Sequence, residues 1–124
     1  MKLLRGINVV SISVPDLERG RAFYRDMLGL GEPIYDLPEL GWVEFSAGAE
    51  GGNIALVAAE AKWEPSFSTT VVLNVESCHA AVSELTSRGV HCDEPITVPG
   101  FVTFANIRDP FGNRLQICSD AAGS

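Results

Sequence analysis

The chain predicts an α+β fold built from two βαβββ modules, and three observations lead there. The first is an internal repeat. Ile7 to Asp16 (INVVSISVPD) precedes a helix-like stretch ending Leu28-Gly29-Leu30, with Gly52-Asn53 later introducing an apolar strand. Further on, Thr69 to Ser77 (TTVVLNVES) precedes a second helix-like stretch ending Arg88-Gly89-Val90, and Gly112-Asn113 introduces another apolar strand. Each copy is then one supersecondary unit that buries a face against its neighbour. The second observation is period-two alternation where strands are expected, with apolar stripes at helical spacing between them. The third is punctuation by glycine and proline at the joints. Module one is expected over about 5–59, a linker over about 60–66 and module two over about 67–120, all within one domain, 1–124. The repeat also places a ligand in the trough between the two copies.

The first strand is expected near Ile7–Val14, where Val10, Ile12 and Val14 alternate with Val9, Ser11 and Ser13. Pro15-Asp16 begins a helix: Asp16 is a good N-cap, and Ala22, Phe23, Met27 and Leu28 share a helical face. Gly29 and Gly31 end it. Strands follow near Pro33–Leu37, Trp42–Ala47 and Asn53–Ala58. In the second copy strands are expected near Phe67–Val75, His91–Val98, Phe101–Ile107 and Arg114–Ser119. The helix spans about Ser77–Arg88, with Ala81, Val82 and Leu85 as its apolar side and Gly89 as its stop. Asp109-Pro110-Phe111-Gly112-Asn113 reads as a tight turn. The tail from Asp120 should fray. The expected core is Val10, Ile12, Val14, Phe23, Leu28, Val71, Leu73, Val75, Leu85, Leu115 and Ile117.

Length and composition narrow the function. The 124 residues suffice for a proper core. Three cysteines, Cys78, Cys92 and Cys118, form no C-x-x-C pair, which argues against a disulfide framework or zinc ribbon and for a reducing, cytoplasmic setting. Met1-Lys2-Leu3-Leu4-Arg5 is followed by an alternating run cut by Pro15-Asp16, so it reads as the approach to a strand rather than a signal peptide. No stretch is long and apolar enough to span a membrane. The net charge is −7, and between Asp26 and Ala61 there are seven acids and no Lys or Arg. Nucleic acid is therefore excluded as a partner. The acidic stretch reads either as a solvated face or as a cleft for a cationic ligand.

Two motifs carry a resemblance. Phe23-Tyr24-Arg25-Asp26-Met27-Leu28-Gly29-Leu30 is similar to the first-helix motif of the vicinal oxygen chelate superfamily, the group of glyoxalase I, bleomycin resistance proteins and extradiol dioxygenases. Arg108-Asp109-Pro110-Phe111-Gly112-Asn113 resembles its last-hairpin motif. The resemblance implies a curved-sheet cup with helices on its outer face, whose inner face binds ligands and, in the enzymes, a divalent metal. It also implies a homodimer, since two-module chains of that group commonly pair. The implied metal positions fall on Val9, on Ala55 or Leu56, on Thr70 and on Gln116. Aliphatic, hydroxyl and amide side chains do not make a transition-metal site, so no metal and no other cofactor is expected. His79 and His91 read as surface histidines, and Cys78 and Cys118 as small apolar fillers.

Alternation gives the inner-face candidates: Val9, Ser11 and Ser13; Trp42 and Glu44; Thr70, Val72 and Asn74; Arg114 and Gln116. Trp63, Tyr35, Phe67 and Phe101 are further candidates for planar walls. This mixture suits a small organic ligand, aromatic or cationic. The expected function is metal-free small-molecule binding of the bleomycin-resistance type, such as sequestration of a drug or toxic metabolite. The rivals are a metal-dependent lyase, isomerase or dioxygenase, and a regulatory or structural subunit with a vestigial cup. No catalytic residue is identified.

Overall fold

A computed structural model describes residues 3–65 and 68–123. The chain divides into two compact units between Trp63 and Glu64. Each is an open, curved sheet with one main helix, in an α+β arrangement. None of the described helices is long and apolar enough to cross a membrane.

Module one contains β1 (Val9–Val14), α1 (Leu17–Ala22), β2 (Tyr35–Leu37), β3 (Trp42–Ser46) and β4 (Asn53–Ala58), in sheet order β1-β4-β3-β2. β1 runs parallel to β4, and β3 antiparallel to it. Asp16 caps α1 as expected, its side chain accepting from the Arg19 N–H at 3.1 Å. The helix continues as a π-turn over Phe23–Met27. The extra residue in that turn alters which side chains face inward. Ala22 is exposed, contrary to the expected stripe, while Tyr24 is fully buried. Its ring lies 5.1 Å edge-on from Phe23 and 6.4 Å from Phe45. On the helix side, Arg21 is buried and bonds to Glu18 and, at 2.7 Å, to Asp36 on β2. These bonds raise its pKa, that to Glu18 most.

Module two repeats the plan with one strand divided. It contains β5 (Val71–Asn74), α2 (Cys78–Ser87), β6 (His91–Cys92), β7 (Ile96–Val98), β8 (Val102–Arg108) and β9 (Arg114–Asp120). β5 runs parallel to β9, β8 antiparallel to it, and β6 and β7 both pair with β8. The single strand expected at His91–Val98 is thus broken between Cys92 and Ile96, where Pro95 has no N–H to donate. Ser77 caps α2 by accepting from the Ala80 N–H at 3.2 Å. The Ser119 hydroxyl accepts from the Cys78 N–H at 3.0 Å, fastening the helix start to β9. The tail is ordered one turn further than expected: Asp120 ends β9, and Ala121–Gly123 form a 3-10 turn.

The strand ends also differ. β1 begins at Val9 rather than Ile7, β2 at Tyr35 rather than Pro33, and β8 at Val102 rather than Phe101. Part of the expected fifth strand, at Phe67, lies outside the described residues. Of the expected core, Val14, Phe23, Leu85, Leu115 and Ile117 are buried. Val10, Ile12, Leu28, Val71, Leu73 and Val75 are half-buried. The helix-side faces of the two sheets are therefore the apolar ones.

Candidate functional site

The far face of each sheet, away from its own helix, is where the sequence places polar side chains. In module one the strand pairs are Val9 with Asn53, Ser11 with Ala55 and Ser13 with Val57; across β3, Trp42 pairs with Val57 and Glu44 with Ala55. Alternation puts all of these on one face. Five expected site residues, Val9, Ser11, Ser13, Trp42 and Glu44, are therefore brought together. Ser11 and Ser13 are exposed and Val9 and Trp42 half-buried.

Glu44 is the chemical centre of this face. It is 6% exposed. The Trp42 Nε1–H donates to its Oε1 at 3.0 Å, and Asn53 Nδ2 donates to its Oε2 at 2.7 Å. A buried carboxylate needs such donors, and these are neutral, so its charge is not cancelled by them. Each carboxylate oxygen has lone-pair capacity for a second donor. The Trp63 Nε1–H donates to the Ser13 carbonyl at 3.0 Å, which holds that indole at the end of β1. The sequence places Asn53 at the start of an expected strand but does not single it out as a site residue. Its place opposite Val9, the first rung of β1, makes it a positioning residue for Glu44.

The acidic stretch does not gather on this face. Asp36 is bound by Arg21 on the helix side, and exposed Asp26 is bound by the preceding Arg25, whose hydrogen bond lowers its pKa. Of the strand residues in the stretch, Asp36 and Glu44 are acidic, and Glu44 alone faces away from the helix. The other planar candidates scatter. Tyr35 is 56% exposed on β2. Phe101 is 79% exposed in the β7–β8 turn, where Thr97, Pro99 and Asp120 join it around a pocket of about 520 Å³. Phe67 lies outside the described residues.

In module two, Val72 pairs with Gln116 and Asn74 with Cys118, and Thr70 precedes β5 by one residue. Arg114 Nη2 donates to Thr70 Oγ1 at 2.8 Å. The five remaining candidates, Thr70, Val72, Asn74, Arg114 and Gln116, thus belong to one face. The sequence reading missed its other half. On β8, Phe104, Asn106 and Arg108 stand directly opposite Cys118, Gln116 and Arg114. The signal was available: Thr103, Ala105 and Ile107 are the buried set of β8, so their neighbours must point the other way. Cys118 belongs to this face rather than to the core; its thiol lies 3.5 Å from Asn74 Oδ1.

Cys78 is fully buried, and burial pushes its thiol pKa up; Cys92 is shifted the same way for the same reason. Neither environment favours the thiolate that nucleophilic chemistry requires. His91 is exposed, 3.6 Å from Asp93, and His79 is exposed on α2. Among the described residues no group of three or more His, Cys, Asp or Glu could hold a metal ion. The register resolves the choice between Ala55 and Leu56: Ala55 shares the far face with Val9, and Leu56 pairs with Ile12 on the helix side. Val9, Ala55, Thr70 and Gln116 do not fit a divalent transition metal.

The family model for the glyoxalase/bleomycin resistance protein/dioxygenase superfamily matches residues 6–117. The chain belongs to this superfamily. Among solved structures, a putative glyoxalase family protein from Bacillus anthracis is 24% identical, with TM-score 0.82 over 97% of this chain and 98% of that one. An antibiotic binding protein from Streptomyces sp. CB03234 is 23% identical, with TM-score 0.79 over 97% and 99%. At these identities the likeness is one of fold. Mitochondrial methylmalonyl-CoA epimerase from Bos taurus is 54% identical over 37 residues, which is 28% of this chain and 21% of that protein. The family's own description joins glyoxalases and dioxygenases with a resistance protein, so side chains must decide between binding and catalysis.

Proposed function

We propose that this superfamily member binds a small organic molecule without a metal, on the far faces of its sheets. The observation that carries the reading is the buried Glu44, held by Trp42 and Asn53 beside exposed Ser11 and Ser13. A fixed carboxylate next to an indole accepts hydrogen bonds from a ligand and offers a planar surface to it. The antibiotic-binding relative in the same fold supports a binding role, with sequestration of a drug or toxic metabolite as its specific form. A metal-dependent lyase or isomerase has less support, because the positions at which the superfamily's enzymes hold a metal carry Val9, Ala55, Thr70 and Gln116. No catalytic step is assigned to Glu44.

A thermal-shift screen tests this, because any ligand of the folded state raises the apparent Tm. Planar organic compounds should raise it, and the Trp42→Ala variant should lose the rise. Zinc, nickel, manganese and iron salts should leave it unchanged. A stoichiometric metal that survives purification and raises Tm, with no response to organic compounds, would reject the binding reading in favour of the enzyme.

A further inference from the structure

One rung crosses all four strands of module one. Ser11 pairs with Ala55, Ala55 with Glu44, and Glu44 with Tyr35. Directly opposed residues share a face, so Tyr35 stands on the far face beside the carboxylate. The Ile34 N–H donates to the Glu44 carbonyl at 2.8 Å and keeps β2 against β3 at this rung. Ala55 is small and fully buried, whereas Tyr35 is 56% exposed. On the next rung Trp42 stands opposite Leu37, and its indole N–H donates to Glu44 Oε1. Glu44 thus has one aromatic neighbour across the ladder and another along its own strand.

The charge of this carboxylate is unmatched. Among the described residues no Lys, Arg or His forms an ion pair with Glu44. The described basic residues of the module stand elsewhere. Arg21 is bound to Glu18 and Asp36, and Arg25 to Asp26. Arg19 is exposed on α1, and Arg5 and Lys62 are exposed outside the strands. Glu44 itself is 6% exposed, so water does little to satisfy it. A buried charge is costly unless it is paired. Its two donors are neutral, and each oxygen keeps room for a further one. With so little of the carboxylate open, only a compact head group reaches it.

We propose that this rung recognises a primary or secondary organic ammonium. The N–H groups of the head donate to the Glu44 oxygens, and the rings of Tyr35 and Trp42 attract the same charge. The proposal rests on the binding reading above and names the ligand class. A hydrogen bond between an ammonium and a carboxylate is roughly twice as strong as a neutral one. Aromatic faces add a further attraction for the cation. The chain's net charge of −7 favours its approach. A transition metal does not suit the same carboxylate, because it needs several ligands and no group of three His, Cys, Asp or Glu occurs among the described residues.

Calorimetric titration of the whole chain with four probes of similar size tests it: benzylamine, benzyltrimethylammonium, benzyl alcohol and benzoate. Benzylamine should bind at least about tenfold more tightly than benzyl alcohol, the usual worth of a charged hydrogen bond. Benzyltrimethylammonium carries the same charge without an N–H and should fall between the two. Glu44→Gln should weaken benzylamine by about ten- to a hundredfold, to the level of benzyl alcohol. Tyr35→Leu changes an exposed side chain and keeps the fold testable if the Glu44 variant does not fold. It should weaken benzylamine by about two- to fivefold and leave benzyl alcohol within about twofold. Benzyltrimethylammonium binding as tightly as benzylamine, or a benzylamine preference that survives Glu44→Gln, overturns the assignment to the Glu44 oxygens. Equal affinity for benzylamine and benzyl alcohol, or preference for benzoate, overturns the ammonium site and leaves small-molecule binding standing. Failure of all four to bind at millimolar concentration overturns both.

Discussion

The two Gly-Asn pairs look equivalent in the repeat, yet the structure uses them for opposite purposes. Asn113 sits inside the β8–β9 turn, buried on the helix side, where its N–H and its Nδ2 donate to Asp109 at 2.8 Å each. Asn53 is the first residue of β4, faces the other way, and supports Glu44. The β3–β4 connection spans residues 47–52 and the β8–β9 connection residues 109–113. Because the side-chain period of a strand is two, one residue of offset exchanges the faces. The same dipeptide is therefore scaffold in module two and part of the candidate site in module one.

The turn should give the largest effect. Asp109 is 4% exposed and accepts from Phe111 N–H, Asn113 N–H and Asn113 Nδ2. Asp109→Ala leaves these donors without their acceptor and should cost about 2–4 kcal/mol in urea unfolding. A loss below about 1 kcal/mol would mean that the turn is not the scaffold described.

The candidate site should give a smaller stability effect and a larger binding effect. Glu44→Gln keeps the volume but replaces an acceptor with an amide donor, facing donors on Trp42 and Asn53. It should cost about 1–3 kcal/mol, change Trp42 fluorescence and abolish the thermal shift caused by organic ligands. Asn53→Ala should weaken ligand binding while costing less than Asp109→Ala. The reverse order would erase the distinction between the two Gly-Asn sites.

The smallest effect concerns how the helices are fastened. α1 is tied to β2 through the Arg21–Asp36 ion pair, whereas α2 starts at the buried Cys78, whose N–H meets Ser119. Burial raises the Cys78 thiol pKa above its ordinary value of 9.0. Above that pH the unfolded chain loses the thiol proton while the folded chain retains it. The stabilising contribution is thus complete below about pH 9 and is lost as pH rises through the folded value. Urea midpoints measured between pH 7.5 and 10 should fall more steeply for the native chain than for Cys78→Ala. Identical slopes would show that Cys78 does not contribute.

Much of the fold was legible because periodicity survives local irregularity. The period-two runs gave β1 and β9 their faces, and Asp16 and Ser77 marked the helix starts that they cap. What escaped were features set by a single residue. The π-turn that turns Tyr24 inward has no compositional signature, and Ala22 consequently seemed part of the apolar stripe. Pro95 divided an alternating run that otherwise reads as one strand. The candidate site was half legible. Trp42, Glu44, Arg114 and Gln116 follow from alternation on strands chosen for their place in the repeat. Asn53 was expected only as the start of a strand, with nothing in the sequence to pair its amide with Glu44, and Arg108 was hidden by its position in the turn motif Arg108-Asp109-Pro110.

The division at Pro95 also shortens one border of its sheet. β2 has only three residues and runs directly into Pro38, while β6 has two and β7 three, with Pro95 before β7 and Pro99 after it. A neighbouring strand seeking to extend either sheet at these borders would meet short ladders bounded by residues that cannot donate. The prolines that blur the repeat in the sequence thus oppose strand addition at the β2 and β6–β7 borders, and leave β1 and β5 as the borders without that obstacle.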